Sequence, residues 1–341
     1  MASVREPRSV GTPPLTDGFG RSHGSLRLSV TDRCNLRCRY CMPAEGLRWL
    51  GRAEVATDDE LMRLAGVLVA LGVTDIRVTG GEPLVRPGVA GIVGRLRRLP
   101  GLREITMTTN GVLLAEHIDA LVEAGLDRLN VSVDSLDPGR FAMITRRNDL
   151  ARVLDGLAAC ERHHTLAPIK VNAVVLRGLS EPDVLPLARL ARERPYVVRF
   201  IESMPIDAGH TWTCEQVIPG EELRAMIGAA WPLRELPRTR PSAPGRRWRF
   251  ADGCGELEFV SSVSEPFCAS CDRLRLTADG RLRACLFATS ETDLLTPLRA
   301  GATDAELTAL ISDTVAAKGP GHGIGTPGWS YAGRPMSMIG G

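Results

Sequence analysis

At 341 residues the chain has room for one barrel-sized domain, alone or with an appendage. Apolar residues at 44% and charged residues at 24% are ordinary globular values, and a net charge of +2 excludes a polyanion coat, so any anionic ligand must be met by a local group of cations. No apolar run reaches about 18 residues, which excludes a membrane-spanning helix, and neither nucleic acid nor membrane is an expected partner.

The chain opens on MASVREPRSVGTPPLTDGFGRSHGS, rich in Pro, Gly and Ser and without an apolar h-region. Residues 1–24 read as a disordered tail rather than a signal peptide, and the protein as cytoplasmic. Nine cysteines in such a chain point to metal or reactive thiols more than to disulfides. Lysine is scarce: Lys170 and Lys318 are the two among 42 basic residues, so a lysine inside a strand draws notice.

From Ser25 onward strands and helices alternate. LRLSVT (26–31) is a strand running into a loop with three thiols. TDDELMRLAGVLVALG (57–72) opens with Thr57 and Glu60 at capping-box spacing and continues with helical period. VTDIRVT (73–79) is a strand, followed by GGEP and a helix through RLRRL. REITMTT (103–109), a helix near AEHIDALVEAG and DRLNVSV (127–133) repeat the unit. A helix across DLARVLDGLAAC precedes PIKVNAVV (168–175), and another near EPDVLPLARLARE precedes YVVRFIE (196–202). Six β-α units of about 30 residues imply a parallel sheet covered on both faces.

The polar residues choose between a barrel and an open sheet. Glu82, Thr108, Asn110, Ser132, Asp134, Glu202 and Met204 all close or follow a strand. Function at every strand's carboxyl end is the barrel pattern, whereas an open sheet gathers it at one switch point. The expected fold is α/β: a partial, TIM-like (β/α)6 barrel over residues 25–235 with an open side. A C-terminal α+β module over 236–341 is expected to close that side. EELRAMIGAAW (221–231) is a helix before it, and RTRPSAPGRRW (238–248) is a loop within it. WRFADGCGELEFV and RLRLTADGRLRACLF read as antiparallel strand pairs, the second turning at Ala278-Asp279-Gly280. TDAELTALISDTVAAK (303–318) is a last helix before a glycine-rich tail ending MSMIGG.

Two groups of thiols carry the chemistry. TDRCNLRCRYC (31–41) holds Cys34, Cys38 and Cys41 in one loop, and no cysteine follows until Cys160. Structural zinc takes four ligands, usually two close pairs. A zinc completed from afar and unliganded loop thiols stay open; a 4Fe–4S cluster on three thiolates would leave one iron free for substrate. Cys268, Cys271 and Cys285, spaced C-x2-C-x13-C, form a second trio. Cys254, with the same gap before Cys268, offers a four-thiol zinc site. Against it, Arg273 and Arg275 alternate on the strand leaving Cys271, as befits a second open-iron cluster beside a phosphate-bearing ligand. Arg27, Arg77 and Lys170 lie in barrel strands, where a long cation needs either a core carboxylate or an anionic ligand. Cys160, Cys214 and Cys254 read as packing thiols, the six histidines show no metal spacing, and His322 is divided between approaching the site and facing solvent.

C-x3-C-x2-C with Tyr40 before its third cysteine, ending strand one, and GGEP (80–83) ending strand two resemble the radical S-adenosylmethionine (SAM) superfamily. C-x2-C-x13-C with Arg-Leu-Arg, and RPMSMIGG at the end, narrow the resemblance to the GTP 3′,8-cyclase family of molybdenum cofactor biosynthesis, over about Ser25 to Gly341. The resemblance implies two 4Fe–4S clusters, on Cys34, Cys38 and Cys41 and on Cys268, Cys271 and Cys285. The first would cleave SAM to a 5′-deoxyadenosyl radical and the second would receive the guanine of GTP. It implies SAM contacts at Tyr40, Gly81, Ser132 and Met204, with the GGEP glycines letting backbone approach the amino group. It implies GTP contacts at Arg27, Arg77, Thr108, Lys170, Arg273, the Leu274 backbone and Arg275, and a catalytic role for Arg273 and Arg275. The implied reaction takes hydrogen from C3′ of the ribose and joins C3′ to C8 of guanine. A flavodoxin- or ferredoxin-type reductant protein is implied, a homodimer is open, and the terminal Gly-Gly is expected to fold toward the cavity. Ser203 stands in FIESMPI where the family commonly has larger residues. A radical SAM enzyme of another specificity and a non-enzymatic zinc protein stay as alternatives.

Overall fold

The computed structural model describes residues 15–327 and 329–340; residues 1–14 of the tail and Gly341 of the terminal pair lie outside them. The expected alternation is present as β1 (Ser25–Ser29), α1 (Asp58–Ala70), β2 (Asp75–Thr79), α2 (Val89–Arg97), β3 (Glu104–Thr109), α3 (Leu114–Glu123), β4 (Arg128–Ser132), α4 (Pro138–Thr145), α5 (Leu150–Cys160), β5 (Ile169–Val175), α6 (Val184–Glu193), β6 (Tyr196–Glu202) and α7 (Gly220–Ala230). Beyond them come β7 (Leu233–Leu236), β8 (Arg246–Phe250), β9 (Glu256–Val260), β10 (Arg273–Leu276), β11 (Arg281–Arg283), β12 (Thr292–Asp293), α8 (Leu295–Arg299), α9 (Asp304–Ala316) and α10 (Met336–Ile339).

Local chemistry accounts for these elements. At the start of α1 the Thr57 hydroxyl accepts from the Glu60 N–H, and the Glu60 carboxylate accepts from the Thr57 N–H. Asp58, Asp59 and Glu60 then face the positive end of the helix. Leu61, Leu64, Ala65 and Leu68 form its buried stripe. In the parallel strands, residues such as Leu26, Leu28, Ile76, Val78, Met107, Val131, Val171 and Val198 are buried among the helices. Their alternate neighbours Arg27, Arg77, Thr108, Asn130, Asn172 and Arg199 line the inside of the barrel.

The topology departs from expectation in one respect. Among the described residues all twelve strands join one sheet, in the order β12-β11-β10-β1-β2-β3-β4-β5-β6-β9-β8-β7. β10 pairs parallel with β1, and β9 pairs parallel with β6. Parallel strands therefore number eight, not six, and the sheet runs unbroken past residues 235–236. The two antiparallel pairs read from sequence do exist, as β8–β9 and β10–β11. Each hairpin satisfies one open edge of the six-stranded barrel, whose N–H and C=O groups would otherwise stay unpaired. At the β10–β11 turn Gly280 has φ +66°, and a Cβ there would stand 2.7 Å from that of Leu295.

Residues 15–24, assigned to the loose tail from sequence, are held in place. Leu15 lies in the hydrophobic core, Thr16 bridges to Ser22, and Asp17 and His23 are buried. Their composition is polar, but Arg21 and His23 reach residues some 250 to 300 positions away and Leu15 and Gly24 reach Leu71, Thr74 and Asp75, which a local reading misses. Among the described residues no helix is long and apolar enough to cross a membrane.

Candidate functional site

The loop after β1 forms the carboxyl mouth of the barrel. Gly80 and Gly81 press against it: a Cβ on Gly81 would sit 2.5 Å from the carbonyls of both Asp32 and Arg33. The Gly81 N–H donates to Thr31 O at 2.8 Å and the Glu82 N–H to Arg33 O at 2.8 Å. The glycines thus admit the cysteine loop itself. Buried Glu82 staples the neighbouring strand ends, accepting from Leu84 N, Thr109 Oγ1 and Asn110 N at 3.0, 2.6 and 2.6 Å. Burial pushes its carboxyl up to about 7 against the pull of those bonds. The Asn110 amide then donates to Asn35 at 2.7 Å and lies 3.8 Å from Cys34 Sγ. The Tyr40 hydroxyl donates to Asp134 at 2.7 Å, and Asp134, raised to about 6 by burial, also accepts from Val174 N.

Cys34, Cys38 and Cys41 are half-buried in this setting. Burial pushes Cys34 up to about 12 and Cys41 to about 11, and lifts Cys38 well above its ordinary value. Buried thiols of this kind ionise more readily when a metal group takes their charge. Among the described residues no three His, Cys, Asp or Glu side chains converge on a point that a single ion could fill. A tetrahedral zinc needs its sulfurs about 2.3 Å from one point, whereas a four-iron cluster spreads its thiolates over separate irons. The loop fits the cluster.

Inside the barrel the register sets cations side by side. Arg275 of β10 pairs with Arg27 of β1, which pairs with Arg77 of β2. Arg273 stands one step toward the amino mouth, its guanidinium over the Phe267 ring at 5.0 Å. Among the described residues none of these four meets a carboxylate, and Arg27 Nε is buried without a hydrogen bond. Burial and then the neighbouring guanidiniums pull Arg77 down to about 9, and burial brings Arg275 to about 9. Lys170 does find the core carboxylate that its strand position allowed: it pairs with Glu258, which Arg199 also grips, with Arg199 Nε 2.7 Å from Oε2. Burial pushes the Glu258 carboxyl up, but Arg199 and Lys170 outweigh it and hold it at about 2. Arg199 and Glu258 were missed in the sequence. The rule that singled out Lys170, a charge inside a parallel strand, also applies to YVVRFIE and ELEFV.

Arg27, Arg77, Arg199, Arg273 and Arg275 line a cavity of about 170 Å³ together with Thr108, Asn172, Met204 and the second trio, Cys268, Cys271 and Cys285, while Lys170 lines a neighbouring one. Asn172 Oδ1 is buried there without a donor. Met204 also lines an adjoining cavity beside Tyr40, so the two spaces meet at its side chain. Ser132 aligns with Asn172 across β4 and β5 and shares its face. The Leu274 side chain points the other way, into the core. Cys268 and Cys271 precede β10, and Cys285 follows antiparallel β11, so this trio sits at the amino mouth. The expectation that all function gathers at carboxyl ends therefore describes only one mouth. Arg273 Nη1 lies 3.8 Å and Lys318 Nζ 3.7 Å from Cys271 Sγ. Cys254 is exposed on the β8–β9 turn, its N–H on Asp252, and joins no ion-holding group among the described residues. His322 faces the cavity, its Nε2 3.0 Å from Ser262 O and its ring edge-on to Phe287.

The carboxyl-terminal residues enter the barrel. Met336 lines the cavity, its N–H donates to Ile206 O at 3.0 Å, and Arg275 donates to the carbonyl of Gly340. At Gly340, φ is +81° and a Cβ would stand 2.7 Å from Thr79 Oγ1 and 3.2 Å from Ser29 Cβ, so glycine is required where the tail packs against the carboxyl ends of β1 and β2.

Comparison with known proteins agrees with this arrangement. Residues 28–191 match the Radical SAM superfamily, and residues 196–324 match Molybdenum Cofactor Synthesis C. The chain is 48% identical over 344 residues to GTP 3′,8-cyclase 2 of Mycobacterium tuberculosis (strain H37Rv), covering 99% of this chain and 95% of that one. It is 45% identical over 339 residues to GTP 3′,8-cyclase of Streptomyces coelicolor, covering 99% of each. Among solved structures, SuiB of Streptococcus suis matches in fold with a TM-score of 0.58 at 13% identity, over 81% of this chain and 65% of SuiB, and its SAM-bound form with 0.57. Sequence kinship over nearly the whole length, on a radical SAM fold with its cysteine loop in place, means that the chain belongs to the GTP 3′,8-cyclase family of radical SAM enzymes.

Proposed function

We propose that this chain converts GTP to (8S)-3′,8-cyclo-7,8-dihydroguanosine 5′-triphosphate, the first step of molybdenum cofactor biosynthesis. The observation that carries the reading is the register row Arg275–Arg27–Arg77. Like charges directly opposite one another destabilise a sheet, and Arg273 adds a fourth while Lys170 and Arg199 share the single Glu258 carboxylate. Such an excess of buried positive charge, with no carboxylate paired to Arg27, Arg77, Arg273 or Arg275 among the described residues, asks for a polyanion, and a triphosphate supplies one.

When bound, SAM and the 4Fe–4S cluster on Cys34, Cys38 and Cys41 supply the deoxyadenosyl radical that opens the reaction at C3′. The chain's own residues bind, orient and exclude water. Tyr40 and Met204 flank the SAM adenine, Gly81 offers its carbonyl to the amino group, and Ser132 faces the SAM ribose. Thr108 and the unpartnered Asn172 meet the GTP ribose; Arg27, Arg77, Lys170, Arg273 and Arg275 take its phosphates, with the Leu274 backbone between the last two. Arg273 and Arg275 are catalytic in this sense, holding C3′ and C8 within reach of each other. Cys268, Cys271 and Cys285 would hold a second 4Fe–4S cluster, which would supply a binding site for the guanine. Met336 and Gly340 close the lumen against solvent.

The electron comes from an acidic flavodoxin- or ferredoxin-type carrier in the cytoplasm. Arg33, Arg39, Arg48, Arg52 and Arg147 are exposed around the first cysteine loop and form no ion pair among the described residues. Elsewhere some exposed arginines, such as Arg177, Arg194 and Arg299, are paired, while Arg98, Arg103 and Arg189 are exposed without an ion pair among the described residues, so the collar stands out by its place around the loop. An unpaired basic collar favours an acidic partner and a salt-sensitive encounter. The test is anaerobic reconstitution with iron and sulfide, then addition of SAM, reductant and GTP. 5′-Deoxyadenosine should appear in step with GTP consumption; equal amounts with and without GTP, and no cyclised nucleotide, would overturn the reading.

A further inference from the structure

Lys318, just beyond α9, is 5% exposed, and no carboxylate pairs with it among the described residues. A buried ammonium without an anion is costly. Its nitrogen donates to Arg273 O at 2.9 Å and lies 3.4 Å from His23 Nδ1 and 3.7 Å from Cys271 Sγ. The carbonyl and the imidazole offer dipoles; of the three, only the sulfur can carry a full negative charge. His23 is turned for this task. Its Nε2 stands 3.0 Å from Asp17 Oδ2; with Nε2–H donating to that carboxylate, Nδ1 is left as an acceptor for Lys318.

The same network reaches the cysteine loop a second time. Asp17 accepts from the N–H groups of Phe19 and Arg21 and from Arg21 Nε at 2.6 Å. The remaining Arg21 nitrogens donate to Cys268 O at 2.8 Å, Gly319 O at 2.6 Å and Pro320 O at 3.0 Å. Residues 17–23, the second cysteine loop and residues 318–320 are therefore one polar unit. It lies on the outer side of the trio, where Lys318 lines a cavity with Cys285 that contains neither Arg273 nor Arg275. Arg273 approaches the same sulfur from the nucleotide side.

We propose that Lys318 is the counter-cation of the second trio, donating to the Cys271 thiolate and aimed by the Asp17–His23 pair. The assignment rests on reading that trio as cluster ligands. It makes Lys318 a positioning residue, remote from substrate, whose charge and N–H···S bond favour the reduced, more negative cluster and so raise its potential.

The test uses the full chain, reconstituted anaerobically without GTP, as wild type, Lys318→Met, Lys318→Arg and His23→Ala. Iron and sulfide are counted, and both midpoint potentials are read by EPR-monitored titration. In Lys318→Met one midpoint should move to a more negative value while the other stays, Lys318→Arg should largely restore it, and His23→Ala should shift it by less in the same direction. Loss of about four irons in Lys318→Met, with retention in Lys318→Arg, supports the same assignment. Unchanged potentials with full iron in Lys318→Met overturn it, as does Lys318→Arg failing as badly as Lys318→Met. Wild type holding only about four irons sinks the second cluster itself, whatever the lysine variants do.

Discussion

The barrel carries three thiols at each mouth, and the two settings are electrostatic opposites. At the carboxyl mouth Cys34, Cys38 and Cys41 sit among Glu82, Asp134 and Asn110, and burial, with the nearby Glu82 and Asp134 carboxylates, drives the Cys34 and Cys38 thiols up. At the amino mouth Cys271 lies between Arg273 and Lys318, with Arg275 and Arg27 beyond. Cluster potentials follow net charge and hydrogen bonds to sulfur. The first setting favours a strong reductant, as the cleavage of SAM demands. The second would favour the reduced state of a cluster held there, beside an anionic ligand. Equal thiol counts thus stand in unequal surroundings, and the surrounding charge tells them apart.

The strongest way to break that comparison is to remove each trio in turn. Replacing Cys34, Cys38 and Cys41 by Ser should leave about four irons per chain and abolish 5′-deoxyadenosine. Replacing Cys268, Cys271 and Cys285 should also leave about four, yet SAM cleavage should survive, uncoupled from any cyclised nucleotide. Iron analysis and chromatography decide it, and equal loss of SAM cleavage in both variants would erase the distinction. Gly81→Ala sharpens the point with one methyl group. Both atoms it meets are backbone carbonyls of the first cysteine loop, so nothing flexible can give way. Iron should fall at the carboxyl mouth alone, while GTP binding measured by titration calorimetry persists.

A third variant separates ligand binding from stability. Arg27→Ala should weaken GTP binding about ten- to a hundredfold, the worth of one lost charged hydrogen bond. The thermal midpoint of the nucleotide-free chain should hold or rise, since one of three adjacent like charges is gone. A lower midpoint with unchanged affinity would make the row structural. The smallest effect concerns acid. Glu258 is held at about 2 in the folded chain against an ordinary 4.5. Its ionised form therefore stabilises the fold fully above pH 4.5, and that contribution drains away as pH falls toward 2. Glu258→Gln should flatten this acid limb in urea midpoints of the cluster-free chain; an unchanged slope would remove Glu258 as its source.

Much of the carboxyl mouth was legible in the sequence, because its parts are local. C-x3-C-x2-C, the GGEP turn and the Thr57 capping box each act within a dozen residues, and six strands followed from apolar runs. Lys170 was correctly noticed, but its partner Glu258 is 88 positions away, and no spacing connects them. Residues 15–24 looked loose because every bond that holds Arg21 to Cys268, Gly319 and Pro320 spans some 250 to 300 positions.

By itself the sequence determined which residues form strands, which turn, and which thiols travel together, since hydrophobic period and glycine conformation act over short range. Only the tertiary structure decided that β10 lies parallel to β1 and β9 to β6. That choice aligns Arg275 with Arg27 and puts the second trio at the mouth opposite the first. The physical reason is that an open sheet edge accepts any strand able to satisfy its backbone groups. Which strand docks, in what direction and register, depends on the packing of the whole barrel.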